Sequence, residues 1–117
     1  MDIFDLNQLT AEADGEWSRQ RYVEFLRAPS LSLGIYRLPA GGVDTQKPHT
    51  EDEVYYVVSD NAAIRVREET QPVKAGSLVF VPALAEHRFF DIAEDLVLLV
   101  FFAPAEYSRS ADSGDSE

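Results

Sequence analysis

Beyond Gly15 the chain alternates apolar and polar residues in short runs, each closed by turn residues, and this period of two restricts the fold most. Leu31, Leu33 and Ile35 fall on one side of such a run, opposite Ser32, Gly34 and Tyr36. Residues 22–26 alternate before Pro29 breaks them. Residues 53–58 form a second clear run, rich in the Val and Tyr that suit a pleated, half-buried surface. Further strands are expected over 63–68, 77–81, 87–92 and 95–102. Pro39-Ala40-Gly41-Gly42 and Val73-Lys74-Ala75-Gly76 read as turns, and Ser59-Asp60-Asn61 as a hairpin, since Asp and Asn tolerate a left-handed backbone. About eight short strands at this spacing predict an all-β antiparallel sandwich or small barrel. The last strand is apolar on both faces and needs cover on two sides, one of which a second copy of the chain would supply. Ahead of the strands, residues 5–13 predict a short helix with Leu6 and Leu9 on one face.

At 117 residues the chain is expected to form one domain around one core. No repeat or linker divides it. The reading is an N-terminal segment over 1–20 packing on the barrel or on a partner, a barrel over 21–107, and a disordered acidic tail over 108–117, too polar to bury itself. Twenty-one acids against ten bases give a net charge of −11, which repels phosphate backbones and anionic lipid. Nucleic acid and membrane are therefore not the expected partners. No apolar run approaches the roughly 20 residues that span a bilayer. The first residues carry neither a basic nor an apolar leader region, and with no cysteine there is neither a disulfide framework nor a thiolate ligand. A cytoplasmic protein is the expectation.

The chain has two histidines, and both sit in motif-like surroundings. His49 stands four residues before Glu53, and His87 closes the stretch that begins at Gly76. The chain here resembles the cupin superfamily, whose jelly-roll barrel is built around two motifs. The first is written G-x5-H-x-H-x3-4-E-x6-G. Gly41 opens it, His49 takes the second histidine place and Glu53 the glutamate, while Lys47 stands at the first histidine and Asp60 at the closing glycine. The second is G-x5-P-x-G-x2-H-x3-N. Gly76, Pro82 and His87 match it, with Leu84 in the glycine place and Asp91 in the asparagine place. Fifteen residues, 61–75, separate the motifs, as in compact single-domain cupins. The resemblance implies an antiparallel double-stranded β-helix with a short helical or irregular N-terminal segment, pairing as a homodimer. It also implies a metal held by His49, Glu53 and His87, with Gln46 or Lys47 at the fourth position.

The residues themselves support a related reading. In a strand Glu53, Tyr55 and Val57 share one face, as do His87, Phe89 and Asp91 in another. If those faces line one barrel, Glu53 and His87 enter the same cavity and His49 reaches it from the preceding loop. Imidazole and carboxylate suit Fe, Mn, Ni, Zn or Cu, and two histidines with one carboxylate leave coordination positions open for Lewis-acid or dioxygen chemistry. The ammonium of Lys47 cannot ligate, whereas the amide oxygen of Gln46 can. Asp91 is a candidate to fix a ligating imidazole, and Tyr36, Tyr55, Phe80 and Phe89 are candidates to line the cavity. Glu51 and Asp52 read as solvated loop acids, and Arg65 and Arg67 as a solvated face on which one arginine could anchor an anion. Three functions stay open: a metal-dependent enzyme of dioxygenase, isomerase or lyase type acting on a small polar molecule, a non-catalytic small-ligand-binding module with a degenerate metal site, and a dimeric interaction or scaffold domain whose doubly apolar strands serve assembly.

Overall fold

A computed structural model describes residues 1–14 and 21–108. Helix α1 (Leu6–Asp14) is followed by eight strands: β1 (Tyr22–Ala28), β2 (Leu31–Leu38), β3 (Asp52–Ser59), β4 (Ala62–Val66), β5 (Glu69–Val73), β6 (Leu78–Val81), β7 (His87–Phe90) and β8 (Leu96–Ala103). They form two antiparallel sheets, one in the order β1-β2-β8-β3-β6 and one in the order β5-β4-β7. This is the antiparallel barrel expected from the alternating pattern, in the jelly-roll form that the resemblance implied. Trp17 and the acidic stretch 109–117 lie outside the described residues.

Alternation decides what faces inward. Along β8, Leu96, Leu98, Val100 and Phe102 are buried between the sheets, and along β3 so are Glu53, Tyr55 and Val57. Ile64 of β4 and Phe89 of β7 meet them from the smaller sheet. The opposite face of β8 is partly covered by the chain itself. Asp5 caps α1 by accepting the N–H of Gln8 (3.1 Å), and the helix lays Leu6 and Leu9 over Ile35, Val97 and Leu99. Cover for the last strand thus begins within one chain.

Several expectations change. Residues 63–68 are not one strand: β4 ends at Val66, the chain turns through Arg67 (φ 54°), and β5 follows with Pro72 inside it. Proline is tolerated there because β5 is an edge strand. The turn 59–61 is not a hairpin, since β3 and β4 belong to different sheets; it carries the chain across, with Asp60 at φ 77°. Strand β7 stops at Phe90 because Asp91 turns left-handed (φ 53°).

Two departures from the cupin motifs are conformationally silent. Asp60 and Leu84, standing where the motifs have glycine, adopt the left-handed backbone that favours glycine, at φ 77° and 69°. Gly34 is needed for a different reason. A Cβ there would lie 2.3 Å from the ring of Tyr22, which crosses it to pack edge-on to Tyr36 and Phe102.

Candidate metal centre

Three elements bring the site together. Glu53 projects inward near the start of β3, where it is paired with Val81 of β6 and Phe102 of β8. His87 opens β7 in the other sheet, opposite Val66 of β4. His49 lies on the loop between β2 and β3, its carbonyl accepting the N–H of Leu84 (2.7 Å). The left-handed turn at Leu84 therefore anchors the His49 loop to the approach to His87. All three side chains are buried, and one ligand atom from each lies within 4.8 Å of the others. This group could hold a metal ion.

The hydrogen bonds orient both rings. The Nδ1–H of His87 donates to the Ala85 carbonyl (2.9 Å), so Nε2 faces the Glu53 carboxylate at 2.9 Å and the Tyr55 hydroxyl at 3.0 Å. His49 turns Nδ1 toward Glu106 (3.4 Å) and Nε2 toward the Gln46 amide oxygen (3.3 Å). The orientation of that amide is fixed in turn. Gln46 Nε2 donates to Asp44 (2.9 Å), which leaves Oε1 to accept from Tyr55 (3.0 Å). Gln46 thus stands beside the His49 nitrogen as a fourth oxygen donor. Lys47 is exposed and outside the donor set.

Burial and charge set the protonation states. Burial opposes charge on His87, but the Glu53 carboxylate, through its close contact and its charge, outweighs this and holds the imidazole pKa above the usual histidine value. Burial pushes His49 down; the Glu53 charge resists, and His87 adds to the lowering. Tyr55 is pushed well up by burial and then by Glu53, and Tyr36 is raised by burial and then by Asp44, to which it donates at 2.7 Å. Both phenols keep their protons at neutral pH.

Glu53 provides the test of whether a metal fits. Neither carboxylate oxygen accepts a well-formed hydrogen bond among the described residues, although both are buried. With Nδ1–H committed to Ala85, the Nε2 lone pair of a neutral His87 points at that carboxylate. Two electron-rich groups in contact need either a proton or a cation between them. A buried carboxylate left uncompensated costs several kcal/mol, and a divalent cation would offset that cost while using both imidazoles as ligands. The donor set fits a metal.

The remaining candidates divide. Tyr36 and Tyr55 line a cavity of about 390 Å³ that also includes Tyr22, Arg21, His49 and Glu106. Phe89 is buried in the core, its ring edge-on to Tyr55 at 4.9 Å. Phe80 is not in the cavity. It is 61% exposed on the outward face of β6, where Val79 and Val81 alternate inward instead. Asp91 is exposed beyond the end of β7 and does not support His87; Ala85 does. Glu51 is no solvated loop acid. It is 1% exposed, accepting the Thr50 hydroxyl (2.5 Å) and the Tyr107 N–H (2.5 Å). Asp52 is half-buried and accepts the Ala83 N–H (2.8 Å).

Sequence reasoning missed Asp44 and Glu106. Asp44 is buried and accepts from Tyr36, Phe89 and Gln46. Glu106 arrives from the segment after β8, beside Tyr107, whose ring lies 5.7 Å from His49. No spacing motif marks either residue.

A barrel of two antiparallel sheets with two imidazoles and a glutamate facing one another inside it defines a class, and comparison agrees. The cupin domain model matches residues 34–102, and the chain belongs to the cupin family. It is 50% identical over 109 residues to an uncharacterized protein of Streptomyces coelicolor, covering 91% of this chain and 99% of that one. Among solved structures it is similar to TT1209 from Thermus thermophilus, with a TM-score of 0.69 and 28% identity over 90% of this chain and 99% of that one. The DMSP lyase DddQ from Ruegeria pomeroyi shares the fold, with a TM-score of 0.64 and 18% identity over 76% of this chain and 50% of that one. No helix among the described residues is long and apolar enough to cross a membrane.

Proposed function

We propose that this cupin binds a divalent transition metal through His49, Glu53 and His87, with Gln46 beside them, and acts on a small polar molecule by dioxygenase-, isomerase- or lyase-like chemistry. The observation that carries this reading is the buried Glu53 carboxylate, 2.9 Å from the Nε2 of His87, with neither oxygen accepting a well-formed hydrogen bond among the described residues. When bound, the metal supplies Lewis acidity and open coordination positions. The residues supply the rest. Ala85 orients the His87 imidazole by its hydrogen bond to Nδ1, and Gln46 meets Nε2 of His49, with the Glu106 carboxylate 3.4 Å from the other nitrogen of that ring. Tyr55 and Tyr36, protonated at neutral pH, offer O–H groups at the cavity, and Tyr22 and Phe102 supply an apolar wall. DddQ shows that one protein of this fold is a lyase. The test is elemental analysis by mass spectrometry of untagged protein beside a His49→Ala, His87→Ala variant. Near-stoichiometric iron, manganese, nickel, zinc or copper that disappears in the variant is the expected result. Protein that is metal-free and refuses added metal overturns the reading.

A second reading has its own support. The raised pKa of His87 lets an imidazolium–carboxylate pair with Glu53 stand in for the metal, making the protein a non-catalytic binder of small molecules. It requires ligand-induced thermal stabilisation that is insensitive to chelator. Under either reading we take the protein to be a homodimer. The exposed Leu78 and Phe80 on edge strand β6 favour this, and light scattering on the Phe80→Glu variant tests it.

A further inference from the structure

A second groove, of about 430 Å³, lies on the other side of the loop that carries Gln46 and Lys47, and His87 forms part of its wall. Its rim holds Lys47, Arg65, Arg67 and Arg88, four of the ten basic residues in a chain of net charge −11. All four are exposed, and among the described residues none makes an ion pair with a carboxylate. Two acids share the lining. Asp44 is committed to N–H and O–H donors from Tyr36, Gln46 and Phe89, which leaves Glu86 alone against four cations.

The placement of the arginines carries the argument. Arg65 of β4 and Arg88 of β7 are direct cross-strand partners. Like charges in that relation are destabilising, because their Cβ atoms stand only about 4.5–5.5 Å apart. Arg67 follows in the turn that ends β4, and its carbonyl accepts the Nε–H of Arg65 (2.8 Å), which holds that side chain toward the turn. The terminal guanidinium nitrogens of Arg65 remain available to a ligand. Arginine forks match the paired oxygens of carboxylate and phosphate. An anion seated between Arg65 and Arg88 would turn the repulsion into attraction, while the acidic remainder of the surface disfavours anions elsewhere.

We propose that this groove is an oxyanion-binding subsite, receiving the carboxylate or phosphate group of the small molecule on which the metal centre acts. The link to a substrate rests on the metal reading above; the binding of the anion does not. The ligand class narrows accordingly from polar molecules to small organic acids or phosphorylated compounds.

The test uses untagged full-length protein in chelator, titrated by calorimetry with succinate and with inorganic phosphate. Thermal scans run in parallel against sodium chloride at matched ionic strength. At least one of the two anions should raise the melting temperature beyond what chloride does. The Arg65→Gln, Arg88→Gln variant should bind it at least tenfold more weakly, and should be no less stable than the parent when no anion is present. Arg65→Lys, Arg88→Lys keeps the charge without the fork and should recover only part of the affinity, so the result does not depend on one variant folding. Preference for succinate or for phosphate names the organic acid or the phosphorylated class. Stabilisation no greater than chloride gives, or affinity unchanged in both variants, overturns the subsite. Metal analysis of the same preparations before chelator is added, and again after manganese, iron or zinc is offered, separates the two claims: anion binding by protein that neither carries nor takes up metal leaves the subsite standing and sinks the metal reading, and the reverse does the opposite.

Discussion

The two ends of the barrel interior are equally buried and chemically opposite. Along β3 the inward face runs from Glu53 through Tyr55 to Val57, and the facing strands follow the same gradient. At the far end Leu38, Val57, Ile64, Leu96 and Leu98 form a dry core. At the near end His49, Glu51, Glu53, His87 and Glu106 share a space that a core would give to leucines. The difference shows how a small barrel can carry an unsatisfied site. Burial of apolar area at one end, at about 25 cal/mol per Å², supports charges whose desolvation at the other end opposes folding.

The largest break in this division is expected from the dry end. Leu98→Ala, at a side chain with no exposed surface, should cost about 2–5 kcal/mol, read as a lowered denaturant midpoint, while the protein that remains folded keeps its metal. Glu53→Gln should do the converse, abolishing metal content and shifting metal-free stability by less than Leu98→Ala does. If Glu53→Gln proves the more destabilising of the two in chelator, the carboxylate serves the fold and the contrast between the ends fails.

A smaller effect separates a ligand from the group that orients it. Glu106 reaches His49 Nδ1, not the nitrogen that faces Gln46. Glu106→Gln should therefore weaken metal affinity by about 10–100-fold without abolishing it, measured by competition with a chromophoric chelator. An unchanged affinity would mean that the loop alone sets the His49 ring.

Much of this architecture was legible in the sequence because β1 and β2 alternate between turn residues, and because only two imidazoles had to be placed. Legibility failed where the pattern gave no sign. Strand β6 is apolar at all four positions, so periodicity could not assign Phe80 to the outward face. Strand β5 is polar, exposed along most of its length and contains a proline, so no strand was expected over it. Glu51 looked solvated, and Glu106 drew no notice, because their burial depends on the segment after β8 folding back over the His49 loop, a contact between residues 56 positions apart in the case of Glu51 and Tyr107. Asp91 was misplaced by extending β7 past a left-handed residue.

The two histidines also divide the pH axis. Taking an unfolded value of about 6.5, the raised pKa of His87 acts above that pH. In metal-free protein its contribution is fully present below about pH 6.5 and is lost as pH rises through the folded value. The lowered pKa of His49 acts below it, its contribution falling away as pH drops from about 6.5 toward the folded value. These two groups together give metal-free stability a maximum near pH 6.5. Metal reverses the upper limb, because Nε2 of His87 must lose its proton to ligate, so affinity should climb over the range in which metal-free protein weakens. Thermal scans in chelator and in added manganese, compared above pH 7, should diverge. Parallel curves would remove His87 from the ligand set.

The smallest expected effect concerns the turn at Leu84, which ties the His49 loop to the approach to His87. Leu84 holds a left-handed backbone with its side chain 67% exposed, so little packing offsets the steric cost of its Cβ. That cost is about 1–2 kcal/mol. Leu84→Gly restores the residue that the cupin motif carries here and should stabilise the fold by about 1 kcal/mol, partly reduced by the greater entropy of an unfolded glycine. Because the Leu84 N–H holds the His49 carbonyl, and glycine keeps that N–H, metal affinity should stay unchanged. A stability gain accompanied by weaker metal binding would mean that the strained turn, and not only its hydrogen bond, sets where His49 stands.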